Sequence, residues 1–170
     1  MVFACGSAGS AAGLGLGTYL YAKAHPTSNY KFKFEQGVPP PIHAYSVCDT
    51  PEYFYDFIDT TILPQMGFKN ESEKKFGSRQ FLNVKNAKGI GYARSSDAEL
   101  EFIHNVARTT GVVLDPVYTG KAFYKFVQEI KADPEVRFEN KNLLFLSNMI
   151  VDLSWSKNPL CSYRRSLRPV

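Results

Sequence analysis

Cysteine is scarce. The chain has 3, Cys5, Cys48 and Cys161, far apart and in no C-x-x-C arrangement. That scarcity argues against a disulfide framework and a zinc site, and it fits a reducing, intracellular compartment. Histidine is as thin: His25, His43 and His104 lack ligand spacing, and no metal is expected. An excess of one charge is lacking too, since 20 Lys and Arg face 16 Asp and Glu, too small a surplus to argue for nucleic acid. Nor does the opening stretch suit a membrane or a secretory leader. It has no Lys or Arg before Lys23, and glycine interrupts it at 6, 9, 13, 15 and 17.

What remains is the composition of an ordinary folded domain, 44% hydrophobic over 170 residues, enough for one core. The pattern divides into residues 1–146, where apolar periodicity persists, and residues 147–170, where Trp155, Ser, Pro and Arg mix without period and little order is expected.

Val2-Phe3-Ala4-Cys5 reads as a buried strand with nothing before it, as though the chain opened in mid-fold. A glycine-rich loop follows and passes into a helix ending near His25-Pro26. Pro41 to Cys48 reads as a strand, and Thr50 with Pro51 starts a helix carrying Tyr53, Phe54, Phe57 and Ile58 and stopping near Met66-Gly67. Lys69 to Arg79 reads as a polar surface excursion, and Asn86 to Gly91 as a turn. Ser96-Asp97-Ala98-Glu99 is a capping box for a helix reaching about Thr110. Val112-Val113-Leu114 is expected to be a short strand. A helix with Ala122, Phe123, Phe126, Val127 and Ile130 follows and stops before Pro134, and Leu143 to Leu146 is expected to be a final buried strand. Alternating helices and short apolar strands predict an α/β fold, an open, largely parallel sheet between flanking helices.

Two stretches carry chemistry. Gly6-Ser7-Ala8-Gly9-Ser10-Ala11-Ala12-Gly13 lies between a strand end and a helix start, where main-chain N–H groups and the helix dipole favour an anion and bulky side chains would bar its approach. It has neither the Lys-Ser/Thr of a nucleotide P-loop nor dinucleotide spacing, so a phosphate monoester fits better. Close helix–sheet packing is the competing account of the same small residues, and Gly15 and Gly17 are assigned to it. The other stretch, Thr109 to Ala122, would bring Tyr118 and Thr119 to the sheet end where open α/β folds bind ligands. In the competing account Asp115-Pro116 sets a bend and Thr119 caps the next helix.

Three motifs in order, Phe3 to Leu14, Val47-Cys48-Asp49-Thr50-Pro51-Glu52-Tyr53-Phe54-Tyr55-Asp56, and Leu114-Asp115-Pro116-Val117-Tyr118-Thr119-Gly120-Lys121, resemble the D-cysteine desulfhydrase and 1-aminocyclopropane-1-carboxylate deaminase family, especially its plant members. The resemblance runs from about Val2 to Leu146. It implies a tryptophan-synthase-β-like fold and pyridoxal 5'-phosphate as cofactor, its phosphate held by Ser7, Ala8, Gly9, Ser10 and Ala11. Tyr92 and Tyr118 match the family's two active-site tyrosines. Thr119 stands where the deaminases carry glutamate and the desulfhydrases a small hydroxyl residue, which favours the desulfhydrase branch. The activity implied is conversion of D-cysteine to pyruvate, hydrogen sulfide and ammonia by α,β-elimination. Ring opening of aminocyclopropane carboxylate, or a non-catalytic fragment, are the alternatives. The implied partner is a small amino acid, with a homodimer as the family's assembly, no nucleic acid or membrane, and a mitochondrial address by analogy with plant relatives. The family's Schiff-base lysine has no counterpart here; Lys121 matches a different, post-tyrosine lysine. After Leu146 the family's His-Thr-Gly-Gly turn is replaced by Ser147-Asn148-Met149-Ile150.

Overall fold

A computed structural model describes residues 1–25, 42–68, 76–132 and 144–146. The divergent tail, Leu143, and most of the lysine-rich stretch after Phe68 lie outside the described residues. Four strands form one parallel sheet in the order β3-β2-β1-β4: β1 (Val2–Cys5), β2 (His43–Ser46), β3 (Asn83–Asn86) and β4 (Phe145–Leu146). Successive β1 side chains alternate between two cores, as the pleat requires. Phe3 and Cys5 face a cluster with Ala11, Leu16, Phe54 and Ile58, whereas Val2 and Ala4 face one with Tyr45, Val47, Ala122 and Phe126. Helices α1 (Gly9–Ala24) and α2 (Pro51–Phe57) therefore cover one face, and α5 (Thr119–Ala132) the other, with α4 (Asp97–Thr110) packed on α5. Each fully buried Phe or Leu in these layers contributes roughly 1.5–3 kcal/mol. The fold is the expected three-layer α/β sheet.

The helix starts follow the local chemistry. The Thr50 hydroxyl accepts from the Tyr53 N–H with Pro51 at the first helical position. Ser96 and Glu99 form the reciprocal capping box. Beyond α2 the chain widens into a π turn over Ile58–Ile62 before α3 (Leu63–Gln65). Pro64 accounts for the widening, since it has no N–H and its ring crowds the carbonyl one turn earlier. The helical run ends at Gly67, φ +87°, where Phe68 N–H donates to the Leu63 carbonyl and Gly67 N–H to that of Pro64, a Schellman pair.

Five points differ from expectation. Val112-Val113-Leu114 is not a strand. Gly111 ends α4 at φ 74°, the Val112 and Asp115 N–H groups donate to the Thr110 and Thr119 hydroxyls, and Val113 is 68% exposed, so α4 connects to α5 through a loop. β3 leaves little trace in the sequence, because Asn83, Lys85 and Asn86 dilute its apolar signal, leaving Val84 as its single buried side chain. The Lys69–Arg79 excursion returns to the core before its end, since Phe76 packs on the α1 side and Ser78 is fully buried. Of the two packing glycines, Gly15 fits, because a Cβ there would meet Phe81 and Leu82 side chains at 2.6–2.9 Å, but Gly17 faces open space. β4 is half-buried rather than buried, at the sheet edge.

Candidate phosphate cradle and phenol pair

Parallel strands deliver all their C-terminal ends to one edge, and the candidate residues gather there. β1 ends at Cys5, β2 at Ser46 and β3 at Asn86, in matched register. From β1 the chain runs through exposed Ser7 to Ala8, which adopts the left-handed conformation (φ 66°, ψ −17°) and opens α1. An L-residue there costs roughly 1–2 kcal/mol. Ala8 is 2% exposed, held by the core beneath it. Helix α1 begins with no side-chain cap and no acidic residue in its first turn. Its first N–H groups therefore meet neither a capping oxygen nor a repelling carboxylate, and the dipole favours an anion. Gly9 and Ser10 are exposed, and nothing lies within 4 Å of where a Cβ at Gly9 or Gly13 would sit. Ala11 is buried, so it can offer only main chain.

Cys5, below the loop, is 2% exposed, and burial pushes its thiol up to about 12, a neutral packing group. The Cys48 thiol at the end of β2 donates to the Gly6 carbonyl at 3.2 Å. Burial, then the Asp49 carboxylate, push that thiol up, against an opposing pull from Lys88.

The second wall is the loop before α5. The Asp115 carboxylate accepts from the Val117, Tyr118 and Thr119 N–H groups at 3.0, 2.6 and 2.9 Å, and from the Thr119 hydroxyl. Burial alone would raise its pKa, but these donors together hold the carboxyl below its ordinary range. The bend fixes Tyr118 so that its ring lies over Gly6, where a Cβ would come within 2.8 Å of a ring carbon. The Tyr118 hydroxyl meets the Tyr92 hydroxyl at 2.6 Å with the rings near perpendicular. That bond, then partial burial, raise the Tyr118 pKa, so the Tyr118 phenol stays protonated near neutrality.

Glycine loop, Tyr118 and Tyr92 thus converge, as the motifs implied. Thr119 does not join them: it is fully buried and its hydroxyl is engaged by Asp115, which makes it part of the turn rather than of the opening. Sequence reasoning gave Asp115 only a bend. The signal for its larger role was its spacing, with Val117, Tyr118 and Thr119 two to four residues on, the reach of a capping carboxylate.

An open parallel α/β sheet with a glycine loop, an uncapped helix start and two phenols at its carboxyl edge has the layout of the ligand-binding α/β folds. Comparison with known proteins places it further. The chain is 42% identical over 146 residues to the bifunctional D-cysteine desulfhydrase/1-aminocyclopropane-1-carboxylate deaminase, mitochondrial, of Arabidopsis thaliana, covering 86% of this chain and 31% of that protein. It is 38% identical over 66 residues to a putative 1-aminocyclopropane-1-carboxylate deaminase of Thermotoga maritima, 39% of this chain and 19% of that protein. A crystal structure of an ACC deaminase homologue superposes with a TM-score of 0.57 at 25% identity, covering 85% of this chain and 37% of that one. No family model matches. The chain spans less than a third of the length of these two curated relatives. In sequence and fold the chain is similar to part of the D-cysteine desulfhydrase and 1-aminocyclopropane-1-carboxylate deaminase proteins.

Proposed function

We propose that this chain forms the phosphate-binding and phenol-bearing part of a pyridoxal 5'-phosphate lyase of the D-cysteine desulfhydrase kind. The observation that carries the reading is the seating of the Tyr118 ring on Gly6, which joins the cradle to the phenol pair. The cradle fits a phosphate monoester: an uncapped helix start, open space at Gly9, and hydroxyls at Ser7 and Ser10. Ser7, Ala8, Gly9, Ser10 and Ala11 would hold that phosphate, mostly through main chain. When bound, pyridoxal phosphate supplies an electron sink for the carbon α to a substrate amine.

The chain's own residues supply position and protons. Tyr118, protonated and hydrogen-bonded to Tyr92, can hold a proton beside the cradle and pass it along the phenol pair. Asp115 and Thr119 keep Tyr118 over the loop. Position 119 favours the desulfhydrase branch, because a glutamate there would bring a second carboxylate against Asp115 in a fully buried place. The substrate is then D-cysteine and the products pyruvate, hydrogen sulfide and ammonia, with a mitochondrial location carried over from the Arabidopsis protein and a homodimer from the resemblance. No lysine is assigned to bond the cofactor aldehyde: among the described residues Lys85 is committed to Glu129 and Lys121 to Glu99. No helix among the described residues is long and apolar enough to cross a membrane.

The test has two arms. Main-chain amide signals of Gly9 and Ser10 should shift on adding pyridoxal phosphate and not on adding pyridoxal; equal response to both would remove the cradle. Sulfide release from D-cysteine, against 2-oxobutanoate from aminocyclopropane carboxylate, decides the branch. Amide shifts with neither product would leave a binding fragment.

A further inference from the structure

Lys121, one helical turn beyond Tyr118, is wholly buried. Its ammonium pairs with Glu99 of α4 at 3.3 and 3.4 Å to the two carboxylate oxygens. Glu99 is 5% exposed and also accepts from the Ser96 N–H at 2.7 Å. Two charges placed this deep cost more in lost hydration than their attraction commonly returns, and apolar residues of similar size would stabilise the α4–α5 contact as well. Stability is therefore a poor account of them.

What an apolar pair could not do is bind main chain. The Lys121 ammonium donates to the Lys88 carbonyl at 3.0 Å. Gly89, next along, lies against both charges: a Cβ there would sit 2.9 Å from a Glu99 oxygen and 3.1 Å from the Lys121 nitrogen. This backbone carries Tyr92, and little apolar burial restrains it. Gly89, Gly91 and Ala93 all take positive φ, Ile90 is 58% exposed and Tyr92 49%. Polar ties do the holding. Gly91 N–H donates to the same Lys88 carbonyl at 3.2 Å, and the Ser95 hydroxyl reaches the Pro116 carbonyl at 2.8 Å.

The geometry points to Lys121, with Glu99, as the positioning residue for Tyr92: one end of α5 carries the Tyr118 phenol and, a turn later, the ammonium that fixes the loop presenting its partner. The inference uses the phenol pair of the proposed site but no ligand, so it is read separately from cofactor binding.

The experiment follows the Tyr118 phenol by carbon NMR in the full chain labelled at the tyrosine ζ-carbons, with Tyr118→Phe to assign the signal and Tyr92→Phe to set the size of the effect. Loss of the Tyr92 bond should lower the Tyr118 titration midpoint. Lys121→Met, and independently Gly89→Ala, which must displace either the Lys88 carbonyl or the pair, should lower it in the same direction and approach the Tyr92→Phe value. A merely structural pair would lower the melting temperature and leave the folded protein's midpoint where it was. Should Lys121→Met fail to fold, Gly89→Ala on its exposed turn decides alone. A folded Gly89→Ala, or a folded Lys121→Met, with the parental midpoint overturns the assignment.

Discussion

The glycine wall and the tyrosine wall meet at Gly6 and Tyr118, yet they are held by opposite means. From Gly6 to Gly13 the shape comes from side chains that are small or missing, with open space at Gly9 and Gly13 and an uncapped helix start. From Lys88 to Lys121 it comes from side chains bonded to main chain: Asp115 to three N–H groups, Lys121 to the Lys88 carbonyl, Ser95 to that of Pro116. Truncation should therefore damage the second wall and enlargement the first.

The largest effect tests the tyrosine wall. Lys121→Ala leaves Glu99 buried without its partner and should cost about 3–5 kcal/mol in denaturant unfolding; a loss within experimental error would mean that water reaches the pair. In α1, just beyond the glycine wall, Gly15→Ala drives a methyl into Phe81 and Leu82 and should cost about 1–3 kcal/mol. Asp115→Asn keeps the size but weakens the acceptor for the Tyr118 and Thr119 N–H groups, and should lower stability by about 1 kcal/mol. Gly17→Ala, in the same helix as Gly15 but facing open space, should instead gain about 0.5–1 kcal/mol. If the two glycine substitutions had the same sign by thermal melting, packing would not distinguish those positions.

The smallest effect is with pH. Asp115 and Glu129 both have folded-state pKa values held below their ordinary ones; at each, burial opposes the shift, and hydrogen-bond donors, including Lys85 and Tyr45 at Glu129, prevail. A depressed carboxyl contributes its full stabilisation above the unfolded-state pKa and loses it as pH falls through the folded-state one. Stability should thus decline below about pH 4. Melting temperature followed downward from neutrality should fall less steeply in Asp115→Asn than in the parent.

The contrast also marks what the sequence could disclose. A glycine loop after an apolar strand, the Ser96–Glu99 box and the Thr50-Pro51 start are local, and each was legible because its partners lie within a few residues. Lys121 with Glu99 and Lys88, or Tyr45 with Glu129 and Lys85, join residues between 22 and 84 apart along the chain, and nothing in local spacing announces them. Val112–Leu114 misled for the complementary reason. Three β-prone apolar residues look like a strand, but the Thr110 and Thr119 hydroxyls take N–H groups that a ladder would need. Thr119 was placed in the opening because a sequence gives the order of residues and not the direction in which a side chain leaves the turn.

The ring seated on Gly6 also ties together two positions 112 residues apart. A first side-chain carbon at 6 would come within 2.8 Å of the aromatic at 118, so enlarging the one position obliges the other to move.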